Sequence, residues 1–567
     1  MIFRQAILSF NGKSEQLHPG KTNSFEELYV NFNTEEMHGG QHWSLFIHPK
    51  QDIVIQKLEI SFDMNLPDGT RFFANGYQSW SESRLYKLDE GISPIRKAAR
   101  PYFGFSGDDR IQNIPRKKGH LHSWSYTYFK KSGSTLLVGS TSERSGFTLF
   151  LFDKTTNTLT IRKDLDELAL SHSFPALDFW MGESTEADVF DGWFAAMGLG
   201  KKASPVQLGW TSWYHYYNNI SAPKILENLE TISQSELPFD TFQIDDGWQT
   251  ATGDWFSVKP SFPDGMGSVA SKIKAAGLKP GLWLAPFIAS AKSELVRKHP
   301  EWILRDKKGK PIKAGWNPYW GGWYFALDFY NAGFRDYLSG VFHTILDKWG
   351  YEVLKLDFLF TVCLNPPTGK TRGGVMWEAM EFLRTLSGDR QILACGAPLG
   401  SCFGHVDICR IGADTHLKWE HKLLKLLRHR ERVSSISALR SVLGRWQLNQ
   451  RAFLNDPDVF ILRKENQHLS PDQQNTLLTV NALLGGVLFT SDNVGAYSTE
   501  EQAELEAALE LRNSQIRLIR EIYPDVFRVD FEQNGVRYYA VCNLSNLKCN
   551  VDKTIELQAF ETLVLKD

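Results

Sequence analysis

Along residues 1 to about 195, apolar and polar positions alternate over short stretches. Examples are Ser44–Ile47, Ile53–Phe62, Ser123–Phe129, Thr135–Gly139 and Gly146–Phe152. Turns rich in Gly, Asp, Asn and Lys separate them, and few helical patterns intervene. A period of two marks half-buried strands, so 1–195 is expected to form a β-sandwich of many strands.

Near Ser204-Pro205 the pattern changes. Short apolar segments now alternate with amphipathic ones of helix length. Strands are expected at Val206–Trp213, Phe239–Trp248, Leu278–Phe287, Tyr351–Phe360, Gln391–Pro398, Val406–Asp414, Ala452–Phe460 and Gly486–Asn493. Helices are expected at Pro223–Ser235, Met266–Ala276, Ala332–Trp349, Met376–Ser387 and Pro471–Leu484. Eight β segments with helices between them fit a (β/α)8 TIM barrel over 205–495. An open doubly wound sheet fits less well, because no GxGxxG turn follows the first strand. A charged helix around Thr499–Tyr523 then leads to β texture from about Val526, so 496–567 reads as a linking helix and a small all-β domain.

Composition narrows the function. The 567 residues carry 63 basic and 65 acidic side chains, a net charge of −2, which disfavours general nucleic-acid binding. No window reaches the ~18 apolar residues of a membrane helix. The apolar run in MIFRQAILSF is too short for a signal-peptide core, and six unevenly spaced cysteines make no disulfide framework. A soluble, cytoplasmic, multidomain protein is therefore expected. The 18 tryptophans, within an aromatic content of 13%, supply flat platforms that suit carbohydrate as well as cores.

Barrel chemistry gathers at the C-terminal ends of the strands. Here those ends carry Trp213 and Tyr214, Asp245 and Asp246, Trp283, Lys355 and Asp357, Cys395, Arg410 and Asp414, Asp456 and Asp458, and Asp492. Asp456, Asp458 and Asp492 read equally well as helix caps or turn residues. Asp357 differs, since it interrupts the apolar run Val353–Phe360 and must be paired or used. Lys355 lies on the same strand face and is expected to supply its counter-charge. Two carboxylates in an aromatic pocket suit glycoside hydrolysis. Three rivals use the same residues: a Schiff-base lysine at Lys355, a Mg²⁺ site on Asp245, Asp246, Asp357 and Asp492, and sugar binding without catalysis. The seven-residue spacing of Cys395, Cys402 and Cys409 does not match zinc ligation, and no metal or other cofactor is expected. Trp302, Trp316, Trp320 and Trp323 shape either a subsite for the rest of an oligosaccharide or the contact of a homo-oligomer.

With these motifs in order along the chain, the sequence resembles glycoside hydrolase family 36, and its compact bacterial α-galactosidases in particular. The resemblance rests on Asn75–Trp80, Gly209–Tyr217, Phe242–Asp246, Gly253–Trp255, Gly281–Phe287, Lys355–Phe360, Arg410–Thr415 and Leu454–Asp458. It implies a retaining hydrolase of terminal α-galactosides, such as melibiose- or raffinose-type oligosaccharides. Asp357 would be the nucleophile and Asp414 the acid/base. Asp245, Asp246, Lys355 and Arg410 would hold hydroxyls. Trp213, Tyr214, Trp283 and Cys395 would wall the pocket, with Trp80 lent by the N-terminal domain. An α-N-acetylgalactosaminidase and an α-galactosyltransferase are the alternatives within the family. Two departures stand out: Ala285 replaces the Glu of many larger members, and Ala413 the Pro of close relatives.

Overall fold

The computed structural model describes the chain except residues 112–113, 166, 202–204 and 552–554. Ser204 of the expected boundary thus lies outside the described residues.

Two antiparallel sheets build the N-terminal region, one of seven strands and one of eight. The alternation read from the sequence is visible in Leu28–Met37, whose Leu28, Val30 and Phe32 are buried while Asn33–Glu36 turn polar. The apolar faces meet in a core where Trp43 stacks on Phe179 at 5.8 Å and meets Phe62 edge-on at 5.3 Å. The expected strand Ser123–Phe129 is two strands. Ser125, at φ +64°, breaks it so that His120–Trp124 joins one sheet and Tyr126–Lys130 the other.

The central sheet is parallel throughout. Its strands are β1 (Gln207–Thr211), β2 (Thr241–Ile244), β3 (Lys279–Leu284), β4 (Val353–Leu356), β5 (Gln391–Ala394), β6 (Ile408–Arg410), β7 (Leu454–Asp456), β8 (Val459–Phe460) and β9 (Val487–Thr490). They pair in the order β7-β6-β5-β4-β3-β2-β1-β9-β8. The two edge strands are one stretch of chain interrupted only by Pro457 and Asp458, so the sheet curls back toward its own start. Each expected segment contains a strand, shorter than predicted because the chain leaves the ladder before the segment ends. Gly209 permits the curl: a Cβ there would meet the Phe489 ring at 2.1 Å.

Helices cover the outside. Pro471–Leu484 begins with a capping box between Ser470 and Gln473. Ala332–His343 ends in a π turn over Thr344–Lys348. The helix expected to reach Tyr523 stops at Leu511, and Gln515–Tyr523 is a strand paired with Val526–Gln533. Ile516, Leu518 and the buried Ile519 follow strand geometry, and the turn at Pro524-Asp525 closes the hairpin with Asp525 at φ +61°. That hairpin opens a four-stranded sheet at the C-terminus.

Candidate active site

β4 is apolar except for Lys355, and its backbone register continues one residue further, where the Asp357 N–H donates to Leu284 O at 2.8 Å. The chain then turns sharply. Phe358 sits at φ +56°, a costly conformation for an aromatic residue. The rings of Trp80, Trp320 and Tyr324 hold it, with centroids 5.0, 5.2 and 5.7 Å away. The strained turn leaves Asp357 at the strand end, where its Oδ2 accepts from Trp283 Nε1 at 3.1 Å and its Oδ1 from the Phe358 N–H at 2.8 Å.

β2 ends at Ile244, so Asp245 and Asp246 lie in a turn rather than alternating across a strand. Asp245 Oδ2 pairs with Lys355 Nζ at 2.7 Å and accepts from Gln243 Nε2 at 2.9 Å. Asp246 accepts from Trp320 Nε1 at 2.7 Å and Gln249 Nε2 at 2.6 Å. Lys355 is therefore not the direct partner of Asp357 expected from their shared strand face. Inward side chains of a curled sheet meet across its hollow, and Lys355 reaches the carboxylate opposite.

At the end of β6, Arg410 serves three carboxylates: Asp414 at 2.8 Å, Asp456 at 3.1 Å and Asp458 at 2.8 Å. Asp458 also accepts from the Thr415 N–H at 2.7 Å and from the Tyr214 hydroxyl. Asp456 makes the expected Asx turn, its Oδ1 accepting from the Asp458 N–H at 2.8 Å, but both carboxylates do more than shape the chain. They are buried anchors of the arginine that holds Asp414. Asp492 instead pairs with Arg463 at 2.5 Å and caps the Leu462 and Arg463 N–H groups, away from this cluster.

The N-terminal domain contributes Trp80, whose Nε1 donates to Cys395 Sγ at 3.1 Å. Gly396, at φ +61°, admits the ring, which would lie 3.0 Å from any Cβ there. The Trp80 loop is held by Arg445, a buried residue closing the helix Ser435–Arg445. It donates to Asn75 Oδ1 at 2.9 Å, Ser79 O at 2.7 Å and Ile411 O at 2.9 Å, joining that loop to the residue after Arg410.

The charges fall into a pattern. Burial raises the Asp357 carboxyl, Lys355 opposes the rise, and Asp414 adds to it. Burial lifts Asp246 to about 6 despite its donors. Burial also lifts Asp458 to about 6; Arg410 opposes this, and Asp414 and Asp456 reinforce it. Burial pulls Lys355 toward neutrality, yet Asp245 holds its ammonium above the usual range, which disqualifies it as a Schiff-base amine. Among the described residues no three His, Cys, Asp or Glu side chains gather as a metal site. The four carboxylates of the Mg²⁺ alternative are committed elsewhere, Asp245 to Lys355 and Asp492 to Arg463.

The melibiase family profile matches residues 195–369. The α-galactosidase of Escherichia coli is 27% identical over 164 residues, 28% of this chain and 22% of that protein. The matched stretch thus spans only about a fifth of the curated relatives' length. Among solved structures, TtGalA, an α-galactosidase from Thermus thermophilus in complex with p-nitrophenyl α-D-galactopyranoside, superposes with a TM-score of 0.72 at 27% identity. That match covers 93% of this chain and 98% of that one. The family 36 α-galactosidase AgaA of Geobacillus stearothermophilus gives 0.63 at 14% identity over 91% and 73% of the two chains, a likeness of fold. The chain is thus similar in sequence to α-galactosidases and in fold to those of glycoside hydrolase family 36.

Of the site residues expected from the sequence, Trp283 bonds Asp357, Lys355 bonds Asp245, whose neighbour Asp246 holds Trp320, Trp80 bonds Cys395, and Arg410 bonds Asp414 and joins Tyr214 through Asp458, while Trp213 lies against Tyr319. Of the four loop tryptophans, Trp320 enters the site, Trp302 is buried in the fold, Trp316 is exposed and Trp323 stacks on Tyr102 at 6.1 Å. Sequence reasoning missed Arg445 and Gln249 as supports. A charged residue inside an otherwise buried helix was the available signal for Arg445.

Proposed function

We propose that the chain is a retaining exo-α-galactosidase, removing terminal α-linked galactose from melibiose- or raffinose-type oligosaccharides by double displacement. The supporting architecture is an N-terminal β-sandwich (1–195), a closed (β/α)8 barrel (205–495) and a linking helix with a small β domain (496–567). The observation that carries the reading is one pair of carboxylates: Asp357, buried and donated to by Trp283, within the field of Asp414, which is one-third exposed on Arg410.

In the first step Asp357 attacks the anomeric carbon while Asp414 gives its proton to the departing glycosidic oxygen, leaving a β-linked galactosyl ester. In the second step Asp414 takes a proton from water, whose oxygen displaces Asp357 and restores the α configuration. Arg410 is already matched by Asp456 and Asp458, so toward Asp414 it acts mainly as an orienting donor. Asp245 and Asp246 offer acceptors, and Lys355 a donor, to the hydroxyls of one ring.

Proton NMR of the reaction with p-nitrophenyl α-galactopyranoside tests this directly. α-Galactose as the first anomer formed supports the donor and retention together. β-Galactose first removes the nucleophile assignment, and turnover of only the N-acetylgalactosamine analogue overturns the galactose assignment.

A further inference from the structure

The hairpin that brings Trp320 to Asp246 has a second aromatic residue at its tip. Lys313–Asn317 and Gly322–Ala326 pair as its strands, and Pro318–Trp320 form the turn between them. Trp320 points inward, within 2.7 Å of Asp246. Its neighbour Tyr319 faces out, 46% exposed, one residue from the ring that reaches the site.

Tyr319 does not stand alone. Its ring is stacked on Tyr217 with centroids 5.5 Å apart and planes 10° from parallel. Trp213 meets both rings edge-on, at 5.2 Å from Tyr217 and 5.5 Å from Tyr319. The Tyr217 backbone is at φ +49°, ψ −136°, a conformation that a residue with a Cβ rarely adopts. The next residue fixes the pair: Asn218 Nδ2 donates to Tyr319 O at 3.1 Å, and Lys259 Nζ donates to Asn218 O at 3.1 Å. Strain held in place by a hydrogen-bonded clamp points to a use for the aromatic pair.

Tyr217 also forms one end of an open groove of about 1260 Å³. The groove continues past His416 and Leu417, which directly follow the Asp414-Thr415 turn, to Trp419 and the C-terminal domain at Leu544 and Phe560. Trp419 is fixed there by donation to Leu544 O at 3.1 Å. Its volume exceeds the ~300–1,000 Å³ of most small-molecule sites, room for more than one sugar ring. Burial and the neighbouring Tyr319 raise the Tyr217 phenol, and the Asp414 carboxylate contributes as well, so ring and acid stand within each other's field.

We propose that Tyr217 and Tyr319 form the platform for the sugar that leaves, and that the groove toward Trp419 takes the unit beyond it. This rests on the α-galactosidase reading, in which the leaving oxygen lies beside Asp414. Aromatic faces suit the apolar faces of pyranose rings, and a paired, pre-positioned platform loses little freedom on binding.

The test compares raffinose with α-galactosyl fluoride, whose leaving group is one atom and needs no platform. In Tyr319→Ala, kcat/KM for raffinose should fall about fivefold to tenfold, with α-galactosyl fluoride within twofold of wild type. Tyr319→Phe keeps the ring and should restore the wild-type ratio. An equal loss on both substrates assigns Tyr319 a structural role and overturns the proposal, as does an unchanged raffinose rate. Wild-type enzyme that leaves α-galactosyl fluoride intact would instead bring down the galactosidase reading beneath it.

Discussion

Asp246→Asn should alter the pH dependence of stability more than stability itself. Burial lifts the native carboxyl from 3.8 to about 6, against the donors Trp320 and Gln249, with Asp245 adding to the rise. The unfolded chain titrates near the lower value, so between the two the folded state binds the extra proton. Stability contributed by this group is therefore lost as pH rises through that window, and the ionised form carries the full penalty above it. A shift of about two units, at about 1.4 kcal/mol each, corresponds to about 3 kcal/mol.

Asn removes the charge and with it the penalty. It also turns one acceptor into a donor facing Trp320 Nε1 or Gln249 Nε2. That mismatch costs about 1–3 kcal/mol, independent of pH. At any single pH the two effects blur, but the difference between wild type and variant isolates the titration. Thermal unfolding of both proteins at pH 4 and pH 7.5 should show the gap moving in the variant's favour by about 2 kcal/mol, roughly two degrees in midpoint for a chain of this length. A gap that stays constant with pH would refute the buried, raised carboxyl. Activity should move the other way, with kcat/KM falling roughly tenfold to a hundredfold through lost charge-assisted bonds to substrate hydroxyls.

Asp357→Ala should lower turnover by roughly a thousandfold or more, and added azide should yield β-galactosyl azide; undiminished activity would remove Asp357 as nucleophile. Asp414→Ala should slow substrates with poor leaving groups by roughly a hundredfold or more while sparing good ones, and an equal loss on both would count against its acid role. Arg445→Met should raise KM by about the factor seen in Trp80→Ala, with the double variant adding little, because both act through the same ring. Additive effects in that cycle would show that Arg445 does not work through Trp80.

The local periodicities were legible because each element declares itself over its own few residues. All eight β segments of the central sheet were visible as apolar runs, and the helix Pro471–Leu484 matches its expected bounds. Asp357 stood out because a carboxylate inside Val353–Phe360 is costly without a purpose. What stayed hidden was pairing across distance. Lys355 meets Asp245 from 110 residues away, and Arg410 meets Asp456 from 46. No spacing rule encodes such contacts, since they follow from how the sheet curls. The over-long helix to Tyr523 has a local cause: charged residues at Arg517, Arg520 and Glu521 hid the strand period, and only the hairpin with Val526–Gln533 decides it.

The charge balance of the site ties stability to the proposed chemistry. Six carboxylates, Asp245, Asp246, Asp357, Asp414, Asp456 and Asp458, share two cations, Lys355 and Arg410. Negative charge outnumbers positive in a buried place; burial is the main cause of the raised pKa values of Asp246 and Asp458, and the neighbouring carboxylates add to it. Such an imbalance weakens the resting protein, and a neutral sugar in its ground state does little to relieve it. A glycosyl transfer passes through an oxocarbenium-like state, in which positive charge grows on the ring. Fixed carboxylates that already face that ring stabilise the charge without reorganising, so the field that disfavours the empty site favours the transition state. A stability gap that moves in the variant's favour between pH 4 and neutral pH, with a loss of activity, in Asp246→Asn would therefore report the same charge in two ways.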